Sequence, residues 1–520
     1  MGNSMGGLKE YWELIRKYPN YQGGFIWDFV DQALCWPSAE GGTDHVFVFG
    51  GDFNDYDPSD NSFCCNGIIA ADRTYHPHAY EVAYQYRSIH TTPVAEGVVE
   101  VYNEYFFIDL SRYMMEWDVE VDGVKVLAGY VPSLNVAPQS AAKVDLGFTA
   151  ADVLEAAGVC DLASHDAYLN VRYVLKRADG ILPAGSEVAY DQICMNEAAL
   201  APVSAQAGLP EYGEEGNLHT FYGEMTFDGS GNVRVAPWKA VFDASVGALV
   251  EYELGENALV DEPMMPCVAR AVIENDLGAR QNERQAMWRN AEFNVSSFEV
   301  VKTESCYVVE VAFATIGEAA DISMKYEVYA DGSIIVVESL ADAGKLSEAP
   351  MLPRFGITFA MNGTYSNLEY FGFGPHENYS DRASSALMGH YMQRVEDQYH
   401  YGYVRPQESG TKTQIKWMRV MDDNGAGFEI RADVKFSASA LPFNWKEIDV
   451  KMLDDNQAHS LELKSKAFEN ERSLGKTWVN VDLAQMGLAC VNSWGAWPLE
   501  QYRVNAQPYE FRFILTPVNN

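Results

Sequence analysis

The stretch EWDVEVDG, residues 116–123, decides the fold class. Its apolar residues alternate with acidic ones, which is the pattern of a strand with one buried face. Its last two residues, Asp122 and Gly123, are typical of a type I′ turn that closes a hairpin. The same alternation returns over residues 169–175. We therefore predict a small antiparallel β-sandwich at residues 88–200.

The strand pattern continues beyond that sandwich to the end of the chain. Apolar residues alternate over residues 322–328 and lead into an Asp-Gly turn at residues 331–332, and Leu461 and Leu463 alternate with charged residues later. Roughly 300 residues of strand pattern without a helical interlude predict one large antiparallel β-sandwich over residues 205–520.

The first part of the chain has a different periodicity of apolar residues. Leu8, Tyr11, Trp12 and Ile15 have the spacing of an amphipathic helix. The following GGFIW, residues 23–27, is predicted to be a short buried strand. Helix followed by strand is the α/β pattern, and it occurs only here.

The composition restricts the possible partners. The 520 residues are 48% hydrophobic and 21% charged, as in ordinary globular proteins, and the net charge is −37. So acidic a surface repels phosphate backbones and anionic lipid, and no apolar run approaches the length of a membrane span. We therefore expect neither nucleic acid nor membrane as a partner, whereas a neutral sugar is compatible.

The cysteines indicate the redox compartment. There are eight in a long chain, and Cys64 and Cys65 are adjacent, a spacing that rarely forms a structural disulfide. A reducing compartment is the simpler interpretation, which favours the cytoplasm. A periplasmic location stays open, because a signal peptide would lie upstream of Met1.

Local motifs for nucleophilic or metal chemistry are few. The sequence has no Walker loop, GxSxG, HExxH or CxxC pattern, and His76 and His78 beside Pro77 are predicted to be surface histidines rather than metal ligands. Aromatic residues reach 13%. Sugar rings stack on aromatic planes, but a β-rich protein of this size also needs many aromatic residues in its core.

Six motifs in a fixed order carry a family resemblance. They are MGNSMGG (1–7), GGFIWDFVDQ (23–32), FCCNG followed by ADR (63–73), GPHENYSDR (374–382), YVRPQESG (403–410) and NSW (492–494). Together they resemble the second half of the bacterial β-galactosidases of glycoside hydrolase family 2, from Met1 to about Leu515.

The resemblance implies a mainly β chain of three parts. Residues 1–87 would be the carboxy-terminal remnant of a catalytic (β/α)8 barrel, and residues 88–200 an immunoglobulin-like β-sandwich. Residues 205–520 would be the large terminal domain, a galactose-mutarotase-like β-sandwich. Sites of such barrels lie at the carboxyl ends of the strands, where Trp27 is expected.

The same resemblance implies site residues. Trp27 would form the apolar floor beneath a galactose, and Trp494 would stack on the leaving-group sugar. The carbonyl of Phe63 and the side chain of Asn66 would hold a sodium ion, with Asn66 near the substrate. The alternatives are a barrel-core tryptophan, a loop aromatic residue, and a turn asparagine before Gly67. Magnesium and the remaining sodium ligands are expected in the amino-terminal half.

The family's two catalytic glutamates would lie upstream of Met1, with the nucleophile just before the MGNS segment. The sequence therefore offers no catalytic residue, and we expect the chain to be inactive alone. Asp28, Asp31 and Asp52 neighbour the motif region, but we interpret them as solvated or strand-end residues. The segments RAVIEND, residues 270–276, and GPHEN, residues 374–378, are interpreted as structural, although Val272 and Glu274 depart from the family's usual Pro and Asp.

Three functions stay open at this point. The chain could belong to a β-galactosidase, as one fragment that an amino-terminal chain complements, with self-association as a further possibility. It could be a carbohydrate-binding module without chemistry. It could also be an aldose epimerase, for which five histidines are available: His219, His376, His390, His400 and His459.

Overall fold

The computed structural model describes residues 2–37, 45–229, 232–467, 475–492 and 494–519. The chain forms two compact units. The first consists of residues 1–79, 201–386 and 391–520, and the second of residues 80–200 and 387–390. No helix in the described ranges is long and apolar enough to cross a membrane.

The amino-terminal segment contains little regular structure. Its elements are α1 (Leu8–Lys17), β1 (Leu34–Trp36), β2 (Val46–Val48) and α2 (Pro77–Tyr86), and β1 pairs with β2 antiparallel. The predicted helix is confirmed as α1, yet none of its residues is buried. The prediction of a buried strand at residues 23–27 is wrong, since Phe25 is fully exposed and Trp27 is 78% exposed. Apolar residues after two glycines do not form a buried strand when no neighbouring strand pairs with them.

The second unit is the predicted small sandwich. Its elements are β3 (Ile89–Ala95), β4 (Val98–Asn103), β5 (Tyr113–Val121), β6 (Val124–Val131), β7 (Ser140–Asp145), α3 (Ala150–Ala157), β8 (Ala167–Leu175) and β9 (Glu187–Asn196). They form a three-stranded sheet, β3-β4-β7, and a four-stranded sheet, β6-β5-β8-β9. Along β5 every second residue is buried, and Asp122 and Gly123 have φ values of 50° and 77°, as a type I′ turn requires.

The remaining strands form the large sandwich. In chain order the elements are β10 (Glu211–Glu215), β11 (Leu218–Gly229), β12 (Asn232–Asp243), β13 (Ala248–Leu254), β14 (Asn257–Val260), β15 (Glu262–Cys267), α4 (Glu274–Gly278), α5 (Gln281–Arg284), α6 (Ala286–Arg289), β16 (Val295–Lys302), β17 (Tyr307–Phe313), β18 (Ala320–Val328), β19 (Ile334–Asp342), β20 (Arg354–Asn362), β21 (Asn367–Gly374), β22 (Leu387–Arg394), β23 (Lys412–Met421), β24 (Ala426–Leu441), α7 (Trp445–Asp454), α8 (Ser460–Ala467), β25 (Lys476–Gln485) and β26 (Tyr509–Asn519). All the described pairings between these strands are antiparallel.

The strands of the large sandwich form two sheets around one apolar core. Strands β10 to β14 form one sheet in chain order, whereas the larger sheet runs β15-β20-β25-β24-β26-β19-β18-β17-β16, with β21, β22 and β23 joined at β24. One continuous apolar core, which includes Tyr326, Phe359 and Phe513, lies inside this unit. The mainly β class is thus confirmed.

Two details of the large sandwich differ from the prediction. The prediction of strands without helices is wrong, because α4 to α8 interrupt the strands. The predicted strand at Leu461 and Leu463 is also wrong, because both residues lie in α8. Alternation over only three residues cannot distinguish a strand from a short helix.

We expect the segment from Leu8 to Trp27 to exchange its amide hydrogens far faster than β18 and β19. No residue of α1 is buried, so little packing opposes opening, and the opening free energy should be on the order of 1 kcal/mol or less. Hydrogen exchange with mass spectrometry on the isolated chain tests this. Slow, cooperative protection throughout Leu8–Trp27 would contradict it.

Candidate functional site

Two short segments of the amino-terminal region run side by side and form the frame of the site. The amide of Asp28 donates to the Asn66 carbonyl at 2.7 Å, and the amide of Asp31 donates to the Ile69 carbonyl at 3.0 Å. The pairing is parallel, as in a (β/α)8 barrel. Gly67 is required here, because a Cβ at that position would lie 2.2 Å from the Asp31 nitrogen.

The predicted sodium ligands are neighbours. The Asn66 side-chain amide donates to the Phe63 carbonyl, and Asn66 is 9% exposed. Its side-chain oxygen is buried and has no hydrogen-bond partner among the described residues. An orphaned oxygen beside a carbonyl fits part of a cation site, although hard cations take about six oxygen ligands. Among all the residues that the structure describes, no group of three or more His, Cys, Asp or Glu side chains could hold a metal ion.

Trp494 is half exposed and fixed at one edge. Its indole nitrogen donates to the carbonyl of Glu274 at 2.8 Å, and the amide of Gly495 donates to the side-chain oxygen of Asn275 at 2.7 Å. The ring covers Gly278, where a Cβ would lie 2.6 Å from an indole carbon. The ring therefore keeps one orientation while about half of its surface stays accessible, at 51% exposure.

Glu274 joins these two parts of the site. Its carboxylate accepts a hydrogen bond from the Ser62 hydroxyl, next to Phe63, while its carbonyl holds Trp494. Glu274 is 8% exposed, so this contact is shielded from water. The sequence did not indicate this contact, because Ser62 and Glu274 are 212 residues apart.

A chain of hydrogen bonds thus links the neighbourhoods of all four predicted site residues. Trp27 adjoins Asp28, which bonds to Asn66, and Asn66 bonds to Phe63. Ser62 and Glu274 complete the link to Trp494. The face of Trp27 remains open.

The histidines at residues 76 and 78 lie beneath the frame. The prediction of surface histidines is wrong, because His76 is 2% and His78 is 1% exposed. His76 bonds to Asp31 at 2.8 Å and to His400 at 2.9 Å, while His78 bonds to the Gly67 carbonyl at 3.1 Å. Burial lowers the pKa of His400 to about 3, so that ring is neutral at pH 7. Asp31 therefore has a structural role.

Glu377 is the centre of a buried network next to these histidines. Its carboxylate accepts from Arg382 at 2.7 Å, Tyr403 at 2.5 Å, Ser409 at 2.9 Å and the Gly410 amide at 2.6 Å. Burial would raise the pKa of Glu377, but the Arg382 guanidinium and the Tyr403 hydroxyl outweigh burial and hold the pKa below its usual value. A carboxylate with four donors stays ionised without water.

Arg382 ties this network to the start of the chain. Its guanidinium donates to the Asn3 side-chain oxygen at 2.7 Å and to the Ser4 carbonyl at 2.9 Å. Tyr403 in turn stacks on His76, with ring centroids 5.4 Å apart. The motifs MGNSMGG, GPHENYSDR and YVRPQESG are therefore joined in space.

Three other histidines that could serve an epimerase have partners of their own. His376 bonds to Ser385 at 3.0 Å and burial lowers its pKa to about 4. His459 bonds to Asp52 at 3.1 Å, and His219 bonds to a tyrosine hydroxyl at 2.8 Å. His390 lies in the second unit. Asp52 is thereby accounted for as a hydrogen-bond partner.

Family models match nearly the whole chain. The model described as "Beta galactosidase small chain" matches residues 234–515, "Beta-galactosidase, domain 4" matches residues 99–196, and "Glycosyl hydrolases family 2, TIM barrel domain" matches residues 1–91. The first model covers more than half of the chain. The architecture is therefore that of a glycoside hydrolase of family 2. Within it, the chain belongs to the β-galactosidase family.

Relatives are similar along the full chain. It is 33% identical over 523 residues to a β-galactosidase of Priestia megaterium and 32% identical over 524 residues to one of Halalkalibacterium halodurans. These alignments cover 100% of this chain but 47% and 48% of the two relatives. The chain thus spans about half the length of the relatives it matches.

Solved structures give a distant likeness. A putative aldose 1-epimerase from Escherichia coli covers 57% of this chain, over 100% of its own length, with a TM-score of 0.30 and 9% identity. A galactose 1-epimerase from Lactobacillus acidophilus covers 58%, over 99% of its own length, with a TM-score of 0.31 and 7% identity.

We expect Glu377→Gln to lower the free energy of unfolding by about 3–5 kcal/mol at pH 7, because it leaves the buried Arg382 without its anion. The matched control is Glu256→Gln at an exposed position, which should change the free energy of unfolding by less than about 0.5 kcal/mol. Urea unfolding measures both.

The pH dependence supplies a second arm. The pKa of Glu377 is lower in the folded chain than in the unfolded chain. Glu377 therefore contributes stability at any pH above its unfolded-state pKa, and this contribution is lost as the pH falls through its folded-state pKa. The difference between wild type and Glu377→Gln should therefore shrink as the pH falls through the folded-state pKa of Glu377. A difference that does not change with pH would contradict the ion-pair account.

Proposed function

We propose that this chain is the carboxy-terminal portion of a retaining β-galactosidase, which hydrolyses terminal non-reducing β-D-galactose residues. Membership of the family supports the activity, and so do the relatives named β-galactosidase. The 520-residue chain alone is inactive on this proposal, because it contains neither glutamate that the family uses.

The observation that carries the proposal is the exposure, among the described residues, of many aromatic side chains of the amino-terminal segment, here called its aromatic face. Its exposed side chains are Phe25, Trp27, Phe29, Trp36, Phe53, Tyr56 and Phe63, each more than half exposed. Apolar surface on this scale marks an interaction site. A chain that supplies the other strands of the (β/α)8 barrel is the partner that this face fits.

The residues of this chain would bind and orient the sugar. Hydrolysis with retention needs two carboxylic groups about 5–5.5 Å apart, and on this proposal both come from the amino-terminal half. The open indole of Trp27 would form an apolar floor for the galactose, and the half-exposed indole of Trp494 would stack on the leaving-group sugar. Glu274 would fix the spacing between Trp494 and the Phe63 loop.

A sodium ion would be held in part by this chain. The Phe63 carbonyl and the Asn66 side-chain oxygen supply two oxygen ligands, and the remaining ligands, like those of magnesium, would come from the other half. A bound sodium ion would attract a sugar hydroxyl oxygen to the site. Asn66 would then contact both the ion and the substrate.

A cytoplasmic location is part of the proposal. All eight cysteines are free, although Cys64 and Cys65 lie side by side. This supports a reducing, cytoplasmic location for the protein.

Complementation tests the proposed activity. The purified chain should not hydrolyse a nitrophenyl galactoside, whereas co-expression with the amino-terminal half of a family member should restore hydrolysis. Trp27→Ala and Trp494→Ala should each lower kcat/KM of the restored enzyme by about tenfold or more, because each removes a stacking plane.

The control variant is Tyr130→Ala, a 66% exposed aromatic residue of the small sandwich, which should leave kcat/KM unchanged. Turnover by the purified chain without a partner would refute the proposed division of the site. Failure of every amino-terminal half to restore hydrolysis would refute complementation.

Asn66→Ala should raise the sodium concentration for half-maximal activity of the complemented enzyme by about tenfold or more, since one ligand is lost. Choline chloride keeps the ionic strength constant in this titration. The control is Asn54→Ala, because the hydrogen bonds described for Asn54 are to Tyr56 and Asp57 of its own loop. An unchanged sodium dependence of Asn66→Ala would remove Asn66 from the ion site.

A further inference from the structure

A cleft of about 470 Å³ opens on the large sandwich, apart from the residues of the proposed galactoside site. Its walls come from the end of β15, from α6 and the residues after it, and from the start of α7 and of β25. Its aromatic lining consists of the half-buried Trp445, Trp478 and Phe293, with the buried Trp288 below them. All these residues belong to one compact unit.

The tryptophans differ in what lies next to their rings. The Arg289 guanidinium lies 5.9 Å and the Lys446 ammonium 5.6 Å from the centroid of Trp445. Arg289 is itself held by a salt bridge to Asp449, so this arrangement is fixed. Over Trp478, the described residues place no aromatic ring and no cation. Among the described residues, Trp478 is thus the partly exposed lining tryptophan without a cation at its ring.

The polar lining carries no net charge. Its charged members are Glu262, Glu292, Arg289 and Lys446, two acids and two bases, beside the amides of Asn294 and Asn444. In a chain of net charge −37 this balance is unusual. A cleft without net charge favours a neutral ligand that has both apolar faces and hydrogen-bonding groups.

A second cavity lies beside the cleft. It measures about 530 Å³ and shares Ala291, Glu292 and Asn294 with the first. Each cavity alone falls in the range of small-molecule sites, about 300–1,000 Å³. The cleft and this neighbouring cavity, together called the groove, therefore offer more room than one hexose requires.

We propose that this groove binds a neutral saccharide of two or more hexose units, with one sugar ring stacked on Trp478. Hexose rings have an apolar C–H face that packs on an indole plane, and their hydroxyls bond to amides, carboxylates and ammonium groups. Asn444 and Glu262 supply such groups at the rim. The site shares no residue with the one formed around Trp27 and Trp494, so it goes beyond the proposed hydrolysis.

Calorimetric titration of the 520-residue chain with lactose tests the site, and the anionic disaccharide lactobionate tests the charge argument. Lactose should bind, and lactobionate should bind less tightly. Trp478→Ala should weaken lactose binding by about tenfold or more. The matched control is Trp417→Ala, another half-buried strand tryptophan outside the groove, which should bind lactose as wild type does.

Two outcomes would overturn the proposal. Wild type could bind no lactose, or Trp494→Ala could abolish binding while Trp478→Ala keeps it, which would assign the sugar to the other site. Since Trp478 lies in a central strand, circular dichroism must show that its variant is folded. If the variant is not folded, hydrogen exchange of the wild-type chain replaces this test. Lactose should then protect residues 286–294, and absence of that protection would refute binding in the groove.

Discussion

The ion pair between Glu377 and Arg382 is the interaction on which the arrangement depends. Both side chains are almost wholly buried, so neither charge can be hydrated if the other is lost. Arg382 fixes Asn3 and Ser4, and Tyr403 connects Glu377 to the histidines beneath the frame. Segments nearly 400 residues apart in sequence are thereby held against each other, and the amino-terminal segment has a fixed base although its outer face is uncovered.

The regular strands could be predicted from the sequence because burial on one face forces a period of two. The alternation in residues 113–121 and the Asp-Gly turn after it are therefore correct. The strand predicted at residues 23–27 is wrong because no neighbouring strand pairs with that apolar segment. The strand predicted at Leu461 and Leu463 is wrong because alternation over three residues cannot exclude a helix. The burial of His76 could not be predicted, because Asp31 and His400, which bond to it, are distant in sequence.

For the site, Trp27, Asn66 and Trp494 were predicted from the order of short motifs, and their roles stay predictions. Glu274 was missed for a physical reason. Its role depends on a contact with Ser62, which is more than 200 residues away, and no local spacing reveals such a contact.

The central claim is that the open face of Trp27 is half of a sugar site that another portion of the barrel completes. Hydroxyl-radical footprinting of Trp27 tests it directly, in the chain alone and with an amino-terminal half present. The account predicts rapid oxidation of Trp27 in the chain alone and strong protection in the complex. Equal oxidation in both states, with complex formation verified by native mass spectrometry, would contradict it.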